Sequence, residues 1–166
     1  MRDKEETDIH WMRHALRNAR EGGAAKGCNP IGCVIVRDGM VIGEGHNEVG
    51  LRRDATAHAE IVAMRRAGAF LRGAELRGAT LYSTLQPCGM CGMASIWAKI
   101  GRIVYGAGRG DVHDMYFEGR HLNTIDILRD AYRDDTSLCA GVLAQECAAL
   151  YFPPGADIPK ERRYNC

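Results

Sequence analysis

The sequence predicts an α/β fold in three layers, in which a central mixed sheet of about five strands lies between helices. Most of the chain reads as helix, strand, strand, helix, strand, helix and strand, in that order. Asp38-Gly39 separates two apolar runs, which is typical of an antiparallel hairpin. Strands alternate with helices in the second half, which implies parallel strand pairs joined by right-handed crossovers.

The first half of the chain contains a helix, a hairpin and a second helix. Ile9, Met12 and Leu16 recur at helical spacing, so they mark the buried side of the first helix. Gly68 is the predicted stop of the second helix, because glycine favours the left-handed conformation that ends helices. The predicted bounds are 8–21 for the first helix, 31–36 for the first strand, residue 40 onwards for the second strand, and about 58–67 for the second helix.

The second half alternates apolar runs of strand length with helical stretches. Ala79 and Arg102 open two such runs, and a helix lies between them. A later helical periodicity includes Ile125, and Pro153-Pro154 ends the last helix. The predicted bounds are 79–84 for a strand, 88–100 for a helix, 102–105 for a strand, 122–133 for a helix, 137–139 for a short strand and 141–152 for the last helix.

Length and composition fit one ordinary globular domain. The chain has 166 residues, of which 46% are hydrophobic and 26% are charged, so it can build one core. We therefore predict a single domain over residues 1–166, with flexible ends at residues 1–7 and 154–166.

The charge balance and the cysteines restrict the class of partner and the compartment. The formal net charge is +1 and the pI about 7.6, so no strong electrostatic field is expected and we predict no nucleic-acid partner. The sequence has no apolar stretch that predicts a signal peptide or a membrane contact. Seven cysteines in this setting indicate a reducing compartment, and we predict a cytoplasmic protein.

Two short runs about thirty residues apart carry the chemistry. Together they read His-x-Glu and Pro-Cys-x-x-Cys, which is the known signature of zinc deaminases. His58, Cys88 and Cys91 are ligands of the kind that Zn²⁺ prefers, and three protein ligands leave the fourth position open, as in catalytic zinc sites. In this signature Glu60 carries protons and does not bind the metal.

The spacing of these residues predicts that both runs lie at helix starts. Cys88 and Cys91 share a face of a helix whose first position suits Pro87, because proline lacks the N–H that would be unpaired there. His58 and Glu60 are two positions apart, so they meet at one metal only at the beginning of a helix. Either Asp54 or Thr56 is predicted to supply the N-cap of that helix.

Two other interpretations of the cysteine pair remain open from the sequence. A Cys-x-x-Cys pair is often half of a structural zinc site, for which Cys33 or His46 would supply the fourth ligand. It can also be a redox pair, but that interpretation gives no role to His58 or Glu60. We favour the catalytic zinc site.

The chain resembles the zinc-dependent cytidine deaminase superfamily, in the branch of guanine, cytosine and tRNA adenosine deaminases. The similarity extends over about residues 8–151 and implies a three-layer cytidine deaminase-like fold, bound zinc and a homodimer. By this resemblance Asn47 contacts the substrate, and the backbone at Ala57 and Glu60 orients the base. The similar stretches are 29–36, 43–47, 55–64, 79–93, 100–107, 141–143 and 146–147.

The substrate is the most open question. Trp97, Phe117 and Glu118 lie where guanine deaminases carry similar residues, and the two aromatic side chains are candidates for stacking on a planar base. Pro30-Ile31-Gly32 resembles cytosine deaminases instead. The stretches 100–107 and 141–150 resemble tRNA adenosine deaminases, but the basic C-terminal helix and the Lys-Thr-Gly-Ala run of those enzymes are missing.

We therefore expect zinc-dependent hydrolytic deamination of a free nucleobase or nucleoside, either a guanine-like purine or cytosine, with release of ammonia. The alternative is a tRNA adenosine-to-inosine deaminase. A zinc-binding partner protein without activity is disfavoured, because such a protein does not need Glu60.

Overall fold

The five predicted strands form one mixed sheet. A computed structural model describes residues 2–24, 27–117, 123–131 and 135–163. The sheet order is β2-β1-β3-β4-β5; β1 is antiparallel to both of its neighbours, and β3, β4 and β5 are parallel. The predicted sheet is thus confirmed. The strands are β1 (Gly32–Arg37), β2 (Met40–His46), β3 (Thr80–Leu85), β4 (Arg102–Ala107) and β5 (Ser137–Cys139).

Helices cover both faces of the sheet, so the three layers are confirmed as well. On β3 the Tyr82 hydroxyl donates to Asp8 of the first helix (3.0 Å). The hydroxyl of the next residue, Ser83, donates to Glu60 of the third helix (3.2 Å). Consecutive strand residues point to opposite faces. No helix in these described ranges is long and apolar enough to cross a membrane. The helices are α1 (Arg2–Gly23), α2 (Val49–Arg52), α3 (Ala59–Leu71), α4 (Gly89–Trp97), α5 (Thr124–Asp130) and α6 (Ala144–Ala148).

A glycine on β2 lets α3 lie directly on the sheet. A Cβ atom built at Gly43 would be 2.4 Å from the carbonyl oxygen of Ala63 and 2.7 Å from the amide nitrogen of Ala67. Real side chains do not approach a backbone that closely, so this position requires glycine. The close approach holds the middle of α3 directly against β2.

Several boundaries differ from the prediction. Helix α1 begins at Arg2 and not near residue 8, because acidic residues in the first turn complement the helix dipole and Thr7 bonds back to the Asp3 carbonyl (2.6 Å). Helix α3 continues past Gly68 and ends where Arg72 adopts a left-handed conformation that closes the last turn. The short helix α2 is not predicted by the sequence.

The C-terminal segment is packed against the rest of the chain at one residue. Ile158, within the stretch that we predict to be flexible, is only 2% exposed. Lys160–Arg162 form a short 3₁₀ turn after it, and all three of these side chains are exposed. The basic residues of the tail are therefore held next to the fold.

Candidate active site

The candidate site lies at the edge of the sheet where two parallel strands end. Leu85 of β3 pairs with Ala107 of β4, and each is the last residue of its strand. In open α/β sheets, ligands bind outside the carboxyl ends of the strands. The chain leaves β3 through Gln86-Pro87 into α4, and α3 begins at the same edge, so the starts of two helices meet there.

The three predicted metal ligands come together at this edge. His58 Nδ1 lies 3.6 Å from the Sγ atom of Cys88 and 3.6 Å from that of Cys91. Tetrahedral zinc with ordinary Zn–N and Zn–S bonds separates a nitrogen from a sulfur ligand by about 3.6 Å. In the part of the chain that the structure describes, these three residues form the one cluster suited to a metal ion, and neither Cys33 nor His46 belongs to it. The donor set thus fits zinc bound by three ligands.

Neither the predicted N-cap of α3 nor the predicted place of Pro87 in the first turn of α4 is correct. His58 and Cys88 are themselves the N-cap residues of α3 and α4, both with extended backbone. The Asp54 carboxylate accepts from the amide and the hydroxyl of Thr56 (2.9 and 2.7 Å), so it closes the preceding turn. Pro87 lies one position before the N-cap. Two of the three ligands therefore extend directly from helix N-termini, where the dipole favours thiolate.

The hydrogen bond between the two thiols moves their pKa values in opposite directions. A hydrogen bond from Cys91 lowers the pKa of Cys88 to about 4, and His58 contributes in the same direction, while burial opposes both. Donation to Cys88, together with burial, raises the pKa of Cys91. A zinc ion among these atoms favours the thiolate of both residues.

Glu60 lies beside the metal ligands in a buried position. Its side chain is 4% exposed, and Oε1 accepts a hydrogen bond from the Ser83 hydroxyl (3.2 Å). Burial raises the pKa of Glu60, the charge of Cys88 adds to this, and His58 opposes it. Ser83 is not among the predicted site residues; a hydroxyl in an apolar strand just before the metal motif was the signal available.

Asn47 has one half of its amide bonded locally and the other half unpaired. The side chain is 0% exposed, and Oδ1 accepts from the Val49 amide (3.3 Å), as in an ordinary Asn turn. Among the residues that the structure describes, Nδ2 has no hydrogen-bond partner. Ala57 is beside it, with its carbonyl accepting from the Glu48 amide (2.9 Å). A buried donor without a partner suits a residue that binds substrate.

Two hydrogen bonds of the Gln86 side chain connect the loop before Cys88 to residues on either side of Phe117 in the sequence. The buried Gln86 side chain accepts from the Arg109 amide (3.2 Å) and donates to Asn123 at the start of α5 (2.9 Å). The Arg109 guanidinium lies 5.3 Å from the centre of the nearly buried Phe117 ring. Phe117 is therefore connected to Gln86 through Arg109. Glu118 lies outside the described residues.

Trp97 is not brought to the metal site within one chain. It is the last residue of α4, nine positions after Cys88, which is about 13 Å along the helix axis. Its side chain is 75% exposed, so it is not part of the core either. Met93 is also exposed one turn earlier on the same side of α4. Stacking of Trp97 on a base stays a prediction, as does the homodimer.

Fold and site together define a zinc-dependent hydrolytic deaminase. The three-layer fold places three zinc ligands and a buried carboxylate at the edge of the sheet where the parallel strands end. The chain belongs to the cytidine and deoxycytidylate deaminase family, whose zinc-binding region matches residues 5–107. That match includes the three ligands and Glu60.

Relatives and solved structures indicate which members of the family this chain is most similar to in sequence and fold. A tRNA-specific adenosine deaminase of Haemophilus influenzae is 37% identical over 147 residues, which are 87% of this chain and 81% of that protein. A structure from a study of A-to-I editing by tRNA:A34 deaminases superimposes with a TM-score of 0.73 at 34% identity, covering 85% of this chain and 98% of the other. The guanine deaminase of Nitrosomonas europaea gives a TM-score of 0.75 at 27% identity, over 86% and 81%.

Proposed function

We propose that the protein deaminates an adenosine of transfer RNA to inosine. One observation carries the proposal. The similarity to a tRNA-specific adenosine deaminase extends over 87% of this chain at 37% identity, and so is not limited to the metal motif. Similar identities are found with tRNA-specific adenosine deaminases of Buchnera aphidicola and Streptococcus pyogenes.

The prediction of a free nucleobase or nucleoside substrate without a nucleic-acid partner is therefore wrong, because these relatives contradict it. Net charge was a poor guide, since it sums charges that are far apart. Arg53, Arg65 and Arg66 are exposed around the loop that leads to the metal site, where Arg65 pairs with Asp54 (3.3 Å) and Arg66 with Glu48 (2.8 Å). The acidic first turn of α1 lies towards the other edge, where Asp8 pairs with Arg102 at the start of β4.

The residues of the site divide the reaction among them. Zinc, when it is held by His58, Cys88 and Cys91, lowers the pKa of water to about 7 and so supplies hydroxide at neutral pH. Glu60 accepts the proton of the attacking water and passes protons to the ring nitrogen and to the leaving amine. Asn47 Nδ2 donates a hydrogen bond to the bound nucleoside. Water replaces the amine at the ring carbon, and ammonia leaves.

A reducing compartment suits this activity. All six cysteines in the described ranges are free, and two of them are zinc ligands that oxidation would remove. We therefore propose that the protein works in the cytoplasm.

Ser83→Ala is expected to lower kcat about 10- to 100-fold with little change in KM, because a hydrogen bond to a charged group contributes about 1.5–3 kcal/mol and Ser83 fixes the Glu60 carboxylate. Single-turnover rates and zinc content would be measured together. Ser83→Thr keeps the hydroxyl and should recover most of the rate, and Ser137→Ala, at an exposed position on β5, serves as the control. An unchanged kcat for Ser83→Ala would contradict the positioning role.

The substrate is tested by steady-state kinetics on an anticodon stem-loop with adenosine at the wobble position, compared with adenosine, guanine, guanosine, cytosine and cytidine. We expect kcat/KM on the stem-loop to be higher than on every small substrate, on the order of 100-fold, because contacts remote from the reactive base lower the barrier. It should also fall with rising salt. A higher kcat/KM on any free base or nucleoside would reject the proposal.

A further inference from the structure

A buried carboxylate lies next to Asn47 and is paired with two arginines. Glu48 is 6% exposed, and its side chain does not cap α2, although it is the N-cap residue of that helix. Instead Oε2 accepts a hydrogen bond from Arg52 Nε, and Oε1 accepts one from Arg66 Nη2 (2.8 Å). A carboxylate is buried at low cost only where charged partners compensate its lost hydration. These two contacts therefore hold Glu48 in one position.

Arg66 connects both sides of Asn47 to helix α3. Its Nη1 donates to the Glu44 carbonyl on β2 (2.9 Å), three residues before Asn47, and its Nη2 donates to Glu48, one residue after it. Helix α3 also carries Glu60 in its first turn. The position of Asn47 relative to Glu60 therefore depends on the contacts of Arg66.

Helix α2 has little packing of its own to fix this segment. It consists of Val49–Arg52, none of which is buried, and a helix of four residues is not stable alone. The Glu48 amide donates to the Ala57 carbonyl (2.9 Å), which fixes the start of the helix. The side-chain pair of Glu48 and Arg66 adds the contact to α3. The position of α2 thus depends on polar contacts and not on burial.

The direction of the Asn47 amide follows from the position of α2. Asn47 Oδ1 accepts from the amide of Val49, the first residue of the helix (3.3 Å). This bond orients Nδ2, which has no hydrogen-bond partner in the described part of the chain. A shift of α2 would move the Val49 amide and turn the unpaired donor away from the bound nucleoside. The contacts of Glu48 prevent such a shift.

The residue before Asn47 supports the same arrangement. His46 Nδ1 lies 3.0 Å from the Asn47 carbonyl oxygen, and His46 Nε2 lies 4.0 Å from Glu48 Oε1. A Cβ atom built at Gly22 of α1 would be 2.2 Å from the imidazole ring, so glycine leaves room for the ring there. The ring thus contacts both the end of α1 and the segment that carries Asn47.

We propose that Glu48 is a positioning residue for the deamination, which holds the Asn47 side chain where its Nδ2 meets the substrate. The inference rests on the role of Asn47 in the proposed function. Glu48 acts through Asn47, because its own carboxylate oxygens bond to the two arginines. A role in stability alone is the alternative, and the two roles differ in whether the effect of Glu48 depends on Asn47.

The test is a double-mutant cycle of Glu48→Gln and Asn47→Ala, measured as kcat/KM on the stem-loop. Glutamine keeps the size of the side chain, but its NH₂ group cannot accept from an arginine. Asn47→Ala should lower kcat/KM about 10-fold, as expected for one hydrogen bond, and Glu48→Gln should lose a similar factor. The double variant should lie within about 2-fold of Asn47→Ala, because a residue that acts through Asn47 has no effect once Asn47 is removed. All three variants should keep their zinc.

Asp8→Asn is the matched control for stability. Asp8 is also a buried carboxylate, 5% exposed, and it accepts from both terminal nitrogens of Arg102 (2.6 Å each) on the face of the sheet that α1 covers. Asp8→Asn and Glu48→Gln should both lower Tm, but Asp8→Asn should keep the kcat/KM of the unmodified protein. Glu48→Asp keeps the charge on a shorter side chain, so its kcat/KM should lie between those of Glu48→Gln and the unmodified protein. It replaces Glu48→Gln in the cycle if that variant does not fold.

The positioning role is rejected if folded, zinc-loaded Glu48→Gln has the kcat/KM of the unmodified protein. It is also rejected if the two losses multiply in the double variant, or if Glu48→Gln loses its zinc, because Glu48 would then act apart from Asn47. A protein that deaminates a small base and not the stem-loop would instead reject the proposed function. The cycle is then measured on that base, and the same outcomes decide the role of Glu48.

Discussion

Glu60→Gln is expected to lower kcat at least about 100-fold while the protein keeps its fold and its zinc. The amide keeps an oxygen that can accept from Ser83, so the buried side chain stays in place. It cannot take a proton from water at neutral pH, so both halves of the proton transfer are lost. The expected loss belongs to the chemical step, and KM should change little.

The measurement is single-turnover deamination of the stem-loop, with zinc determined on the same preparation. Glu146→Gln removes an exposed carboxylate from α6 on the opposite face of the sheet, and it should behave as the unmodified protein. A Glu60→Gln protein that no longer binds zinc would make Glu60 a metal ligand and contradict the assignment. Full activity would contradict the role of Glu60 in proton transfer.

Cys88→Ser is expected to lose most of the bound zinc and, with it, a measurable part of the free energy of unfolding. Zinc binds the folded state through deprotonated ligands, so its affinity adds to stability. At free zinc 100 to 1,000 times the Kd, this contribution is about 3–4 kcal/mol. Serine keeps the size of the side chain but is a poor zinc ligand, so no other packing change is needed.

Metal analysis and thermal unfolding should be compared with the unmodified protein before and after chelation. We expect the Tm of Cys88→Ser to match that of the chelated protein and to respond little to added zinc. Cys139→Ser, at a half-buried thiol on β5 outside the metal cluster, should keep zinc and Tm. Full zinc occupancy in Cys88→Ser would show that the ligands are assigned incorrectly.

The metal ligands and the sheet were predictable because their signals are local. His58, Cys88 and Cys91 are recognised from spacing and residue type, and the strands from short apolar runs between turn residues. The helix caps were not, because Asp54 and Thr56 bond to each other instead of to α3. The competing turn is visible only once the chain is folded.

Contacts between distant segments explain most of the remaining differences. The bond between Ser83 and Glu60 depends on how α3 lies across β3, and Trp97 is at the exposed end of α4 although its spacing suggested a stacking role. The substrate was missed for a related reason: a net charge of +1 does not indicate where the charges lie. Local patterns predict ligands well and surfaces poorly.

The helix starts that carry His58 and Cys88 make the two ends of the fold unequal in their tolerance to changes of chain length. One residue inserted between Cys88 and Cys91 would rotate the second thiol by about 100° around the axis of α4. The connections after α3 and after α4, residues 72–79 and 98–101, leave at the far ends of both helices. Insertions there leave the positions of the three metal ligands unchanged. Added segments are therefore tolerated on that side of the fold and not beside the metal.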